Sequence, residues 1–335
     1  MLKSARIWLS IIVLAATLIV NANAQNTTHA FLWSAKTGMQ DLGTLGGSSS
    51  ALGINNAGQV VGTYESGDTL RSFIWTPNGG MQDIGTLGGD FTSAAAINSS
   101  GQVVGAASDA SGDVHAFLWT AASGMQDLGT LGGTFSGAAA INDRGDMTGT
   151  SSRAGNVRYV AYLQMSGKHM LRLGTLGSDY SYGYAINAAA TVAGASPLNN
   201  TLTTNHAFIR RKGSHMVDLG TLGGDDSTAL GINQSEQVVG WSSYSGGYPP
   251  EAFLWTATLG MQGLSNLGGV TSAAQAINRG GLIVGFSDLS QMGVTHAVLW
   301  TAPNKIKDLG TLGGTYAVAK GINDHGQVVG WSTLK

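Results

Sequence analysis

Cysteine is absent from the 335 residues, so neither disulfides nor thiolate-bound metals hold this chain together. Proline occurs five times. All five, Pro77, Pro197, Pro249, Pro250 and Pro303, are expected in connections, because a proline inside a strand ladder removes a hydrogen-bond donor. Charged residues make up only 11% of the chain, which leaves few groups for acid–base chemistry and weighs against an enzyme. A basic excess is missing too: the formal net charge is −2, so nucleic acid is not an expected partner. The sequence has no nucleophile elbow, no His-Glu-x-x-His, no phosphate-binding loop and no complete calcium loop. No metal and no cofactor is therefore expected.

One apolar run stands out, Ile7 to Val20, behind Lys3 and Arg6 and ahead of Ala22-Asn23-Ala24. It is shorter than the roughly 20 residues that span a bilayer and carries the layout of a secretory signal peptide, residues 1–24, cut after Ala24. Export to the periplasm or the exterior of a bacterial cell is expected, with no stable membrane insertion after cleavage. The mature chain, residues 25–335, then holds 15 basic and 19 acidic residues, a net charge of −4.

What the sequence has in quantity is glycine, 51 residues, and repetition. Ile-Asn pairs end at Asn55, Asn98, Asn142, Asn187, Asn233, Asn278 and Asn323, spaced by 43 to 46 residues. A period near 44 marks a repeat architecture. Within a repeat, four short apolar runs alternate with turn signals, the rhythm of an all-β fold. In residues 48–85 they are Ser49–Ile54, Gln59–Gly62, Ser72–Trp75 and Met81–Ile84. Four strands in about 44 residues match one blade of a β-propeller. The expected fold is one seven-bladed β-propeller domain. The mature chain opens with a third-strand element, His29–Trp33, and closes after a second-strand element, Gln327–Trp331. Pairing these ends within one blade would close the ring and leave no open sheet edge.

The repeated words are His-Ala-Phe-Leu-Trp at 29–33 and 115–119, Asp-Leu-Gly-Thr-Leu-Gly-Gly at 41–47, 127–133, 218–224 and 308–314, and Gly-Gln-Val-Val-Gly at 58–62, 101–105 and 326–330. Through them the chain resembles the HAF-repeat extracellular proteins over residues 29–331, and more weakly the kelch propellers. The resemblance implies a secreted or surface-located bacterial protein with a propeller-like fold and no assigned reaction. The repeats at 159–164 and 206–210 depart from the pattern by lacking the strand tryptophan.

Residues that recur in every repeat point to scaffolding. The seven asparagines are expected to cap turns, Asp41, Asp83, Asp127, Asp218 and Asp308 to satisfy loop amides, and the strand histidines to be structural. Recognition is sought in what does not repeat. Between Arg153 and Lys212 lie seven basic residues and one acid, and five of the nine tyrosines. The segments leading into the innermost strands carry Phe91, Phe135, Tyr180, Asp226 and Tyr316, an aromatic surface suited to sugar rings. Tyr180 and Tyr182 are expected on one strand face, and Arg153 and Arg158 on a loop of the same propeller face, where they could hold a carboxylate or phosphate. The expected partner is a glycan or an acidic surface polymer. Two alternatives stay open: a lyase acting on acidic polysaccharide, and an envelope scaffold that docks another protein.

Overall fold

The computed structural model describes residues 27–156, 158–200, 204–245 and 247–335. The expected signal peptide lies outside them. The described residues form 28 strands and no helix. One repeat illustrates the unit: β3 (Ser49–Ile54), β4 (Val60–Ser66), β5 (Thr69–Thr76) and β6 (Gly80–Asp83) make a four-stranded antiparallel sheet in sequence order. The first strands of successive units are β3, β7 (Gly88–Ile97), β11 (Gly132–Ile141), β15 (Tyr182–Ile186), β19 (Ser227–Ile232), β23 (Gly268–Ile277) and β27 (Gly313–Ile322). Each touches the next, and β27 touches β3, so the innermost strands form a closed ring.

The chain ends meet inside one sheet. β1 (Thr28–Ser34) runs antiparallel to β28 (Val328–Leu334), with Thr28 opposite Thr333 and Trp33 opposite Val328. β1 in turn carries β2 (Gly38–Asp41) on its other edge.

Packing explains the repeated Val-Val-Gly. The glycine that ends it in each second strand faces the first strand so closely that a side chain has no room: a Cβ on Gly62 would lie 2.0 Å from the Ser50 carbonyl oxygen, and one on Gly285 1.9 Å from that of Ala273. Opposite sit fully buried small residues such as Ala51 and Ala274. Just beyond this contact every first strand contains a bulge, one extra residue left out of the ladder. A bulge re-aims the side chain it frees. The bulged residues are Leu52, Ala95, Ala139, Tyr184, Leu230, Gln275 and Lys320, all half-buried, and they line the axis of the ring.

Between units, the third-strand aromatics Phe31, Phe73, Phe117, Phe208 and Phe253 are fully buried, each contributing about 1.5–3 kcal/mol of hydrophobic burial. Buried serines latch neighbouring sheets: Ser136 Oγ accepts the Ala116 amide at 2.8 Å, and Ser227 Oγ the Ala207 amide at 2.9 Å.

Several local expectations are corrected. Three of the five prolines are in strands: Pro197 ends β16 (Val192–Pro197), and Pro249 and Pro250 fall within β21 (Gly247–Thr256). The latter two sit where the ladder shifts register between Ser242 and Tyr244, an irregularity that spares their missing amide protons a partner. β4 and β5 extend beyond the runs Gln59–Gly62 and Ser72–Trp75 read from the sequence, to a tight turn with Ser66 opposite Thr69. Phe91, Phe135 and Tyr316 lie inside β7, β11 and β27, which begin at their Gly-Gly pairs. β16 runs to Pro197 and the next strand starts at Asn205.

Candidate functional site

The seven asparagines form a circuit. The side-chain amide of each donates to the main-chain carbonyl of the next: Asn55 to Asn98 at 3.0 Å, Asn98 to Asn142 at 3.1 Å, and so on to Asn323, which donates to Asn55 at 3.1 Å. Their side-chain oxygens accept amides two or four residues on, as Asn142 does from Arg144 and Asp146. All are buried. Their hydrogen-bonding capacity is spent on the scaffold.

The repeated aspartates accept a loop amide, Gly43 to Asp41 at 2.7 Å for example, and also hold a neighbouring strand residue. His29, His115, His206 and His296 each place Nδ1 2.8 Å from Asp41, Asp127, Asp218 and Asp308. In the remaining case Arg71 bonds Asp83, and the Tyr64 hydroxyl donates to the same carboxylate at 2.7 Å. The twelve-residue His-to-Asp spacing was the sequence signal for these pairs.

The non-repeating residues gather in the sector where β11, β12 (Met147–Arg153), β13 (Tyr159–Gln164) and β15 meet. Arg153 is the last residue of β12 rather than part of a loop, and Arg158 immediately precedes β13. Together with Leu131 and Ala154 they line a hollow of about 220 Å³. Arg158 Nε lies 3.2 Å from Asp179, so one of the two guanidinium groups is partly neutralised by a half-buried carboxylate. Phe135 meets Tyr159 edge-to-face, with ring centroids 5.8 Å apart.

Tyr180 and Tyr182 do not share a strand face, because Tyr180 precedes β15. Tyr182 instead stacks on Tyr184, centroids 6.4 Å apart, which continues the aromatic surface from the sheet end toward the axis. Desolvation, with the Tyr180 and Tyr159 phenols as further causes, pushes the Tyr182 hydroxyl up to about 12. Burial also raises Tyr159 and Tyr184. These phenols stay protonated at neutral pH and can act as hydrogen-bond donors.

The other predicted positions are dispersed. Tyr316 stacks on Trp331 at 5.3 Å in a different unit. Asp226 accepts the Asn205 amide at 2.8 Å, a structural task. Phe91 lies in β7 with its amide bound by Ser108 Oγ at 2.9 Å. The loop from Asp109 to Asp113 closes on itself, Asp109 accepting from Ser111 and Asp113. Among the described residues no group of three or more His, Cys, Asp or Glu could hold a metal.

No family model and no curated protein matches the chain. Solved structures do. The β-propeller domain of the trilobed protease from Pyrococcus furiosus, described as having an open velcro topology, superposes with a TM-score of 0.54 at 9% identity, covering 82% of this chain and 88% of that one. The chain folds as a β-propeller. TolB from Acinetobacter baumannii matches with a TM-score of 0.47 at 13% identity over 70% of this chain, which spans 62% of TolB's length. A gluconolactonase from Xanthomonas campestris, XC5397, gives 0.40 at 11% identity over 94% and 99%. In contrast to the open topology ascribed to the Pyrococcus domain, this chain pairs its first strand with its last.

Proposed function

We propose that the chain is an exported seven-bladed β-propeller of HAF-repeat type that binds an acidic glycan or surface polymer on the sector around Arg153 and Arg158. The count of seven blades is supported by the seven-membered asparagine circuit and the seven first-strand bulges. Export rests on the residue pattern from Lys3 to Ala24.

One observation carries the binding reading: two arginines line a single hollow beside the Phe135–Tyr159 pair and the Tyr182–Tyr184 stack. Aromatic faces suit the apolar faces of sugar rings, and a guanidinium fork suits a carboxylate. The basic segment also contrasts with the −10 net charge of the rest of the mature chain, so an anionic polymer would be steered to this sector.

The test is an array of neutral and acidic glycans probed with the mature protein. Acidic members should bind, and Arg153→Ala with Arg158→Ala should weaken them about tenfold or more, the scale of losing charge-assisted hydrogen bonds. Equal binding by the variant would refute the site. The same wells are read in the ultraviolet for the unsaturated product of a lyase. Little favours that reading: Tyr182 holds its proton far above neutrality, and Arg158 is engaged by Asp179. Silence in both channels would favour protein docking.

A further inference from the structure

Seven bulged side chains line the propeller axis, and six of them are uncharged. The seventh is Lys320. The residues of the seven first strands from Ser49 and its equivalents onward contain no acid, so the ring carries one cation and no carboxylate. Lys320 Nζ donates to Gln275 Oε1 on the neighbouring unit at 3.2 Å, which fixes the ammonium on one side of the axis. Tyr184 stands three places round the ring on one side and four on the other, across the axis from it. Between them on the longer arc are Leu52, Ala95 and Ala139, two of which are no larger than a methyl group. The ring is therefore asymmetric: a cation and an amide on one wall, a phenol on the opposite wall, and small residues beside them.

The geometry points to the axial ring as a binding site for a carboxylate, held by the Lys320 ammonium and the Gln275 side-chain amide with the Tyr184 hydroxyl as a donor from the far wall. Lys320 is half-buried, and desolvation draws its amine down to about 8. An anion would restore the charge that burial disfavours. Tyr184 keeps its proton, since burial raises its pKa, and so has an O–H to donate. Tyr182 stacks on Tyr184. The Lys320 and Gln275 groups lie outside the lining of the Arg153–Arg158 hollow; Tyr184 alone is shared with the aromatic surface beside it.

The same chemistry could come from a free small acid or from a uronate within a polymer. The experiment separates the two. Mature wild-type protein and Lys320→Met are titrated with acetate, galacturonate, polygalacturonate and, as the neutral isostere, galactose. Two signals are followed, thermal stability and the rate at which an amine-acylating reagent labels Lys320, identified by peptide mass. Galacturonate should raise the melting temperature of wild type and slow Lys320 labelling at least fivefold. Its affinity for Lys320→Met should fall about tenfold or more, the scale of losing a charge-assisted hydrogen bond, and galactose should do neither. Acetate acting like galacturonate identifies a small-acid site; action by polygalacturonate alone identifies a polymer carboxylate. Lys320→Met removes a desolvated charge, so it should fold and melt no lower than wild type. If it does unfold, Gln275→Leu, which leaves the lysine in place, is titrated instead with the same expected loss. No protection of Lys320 by any carboxylate, equal binding by Lys320→Met, or equal action of galactose would overturn the proposal. In an Arg153→Ala, Arg158→Ala double variant, which removes the rim hollow, carboxylates should still slow Lys320 labelling, so failure of the rim site and failure of the axial site are told apart.

Discussion

The side-chain amide of Asn323 donates to the main-chain carbonyl of Asn55 at 3.1 Å, across 268 residues of sequence. It is the last link of the asparagine circuit, and the adjacent Asp324 amide donates to Asn56 Oδ1 at 2.9 Å. The closure of the ring therefore rests on hydrogen bonds at the turns as well as on the β1–β28 ladder.

Asn323→Ala should destabilise the protein by about 2–4 kcal/mol. The substitution leaves the buried Asn55 carbonyl without this donor and the His325 and Gln327 amides without their acceptor, and each such buried group costs about 1–3 kcal/mol. Urea unfolding of the two proteins, compared at equal slope, measures it; a change within error would mean that the circuit is decorative.

Gly285→Ala should be among the most damaging single-methyl additions in the chain. The new Cβ would lie 1.9 Å from the Ala273 carbonyl oxygen and 3.0 Å from the Ala274 Cα, both main-chain atoms that move only with the sheet, and overpacking of this kind costs about 3 kcal/mol. Gly260→Ala is the comparison: its surroundings are open but its φ is +67°, so it should lose only the roughly 1–2 kcal/mol of left-handed backbone strain. Melting temperatures in the reverse order would contradict the packing argument.

Tyr162→Phe should raise stability or leave it unchanged. Tyr162 occupies the third-strand position held in five other units by phenylalanine and in one by Val298; it is fully buried, and its hydroxyl has no hydrogen-bond partner. Removing a stranded hydroxyl relieves about 1 kcal/mol or more of desolvation. A clear loss of stability on calorimetry would indicate a role for that oxygen.

The Tyr64–Asp83–Arg71 cluster should make stability fall at both extremes of pH. Burial opposes the charge on Asp83, but hydrogen bonds from Arg71, Tyr64 and the Gly85 amide outweigh it and hold the carboxyl below its usual range. A lowered acid pKa contributes stability above the unfolded value, near 4, that is lost as pH falls through the folded value. Tyr64 is pushed the other way, to about 12, first by burial and then by Asp83. Its contribution is intact below the unfolded value near 10 and is lost as pH rises from there through 12. Asp83→Asn should flatten the acid limb of the stability profile and reduce the alkaline one.

Much of the architecture was legible because it repeats. Four strands per unit follow from short apolar runs between Asn-Gly turns, and the pairing of β1 with β28 follows from a chain that starts with a third strand and stops after a second. Local register was less legible. Tyr180 and Tyr182 are two apart, yet the strand starts only at Tyr182, because Ser178 and Asp179 are tied into the preceding turn by bonds to Tyr180 and Asn200. The axial ring was missed for a related reason: a bulge breaks period-two alternation, so Tyr184, Gln275 and Lys320 look like surface residues of a small-residue strand. The available signal was their common place three residues before each repeated asparagine, where the other four units carry only leucine or alanine.

The β1–β28 ladder also sets an order of events. Among the described strands β1 leaves the ribosome before all the others and β28 after them, so the sheet that holds both stays half-built until the strands between them have been made. Closing so long a loop adds only a logarithmic entropy cost, but contacts of such high sequence separation form slowly. A nascent chain of this design remains without its final sheet, and so without a closed ring, until β28 has been made.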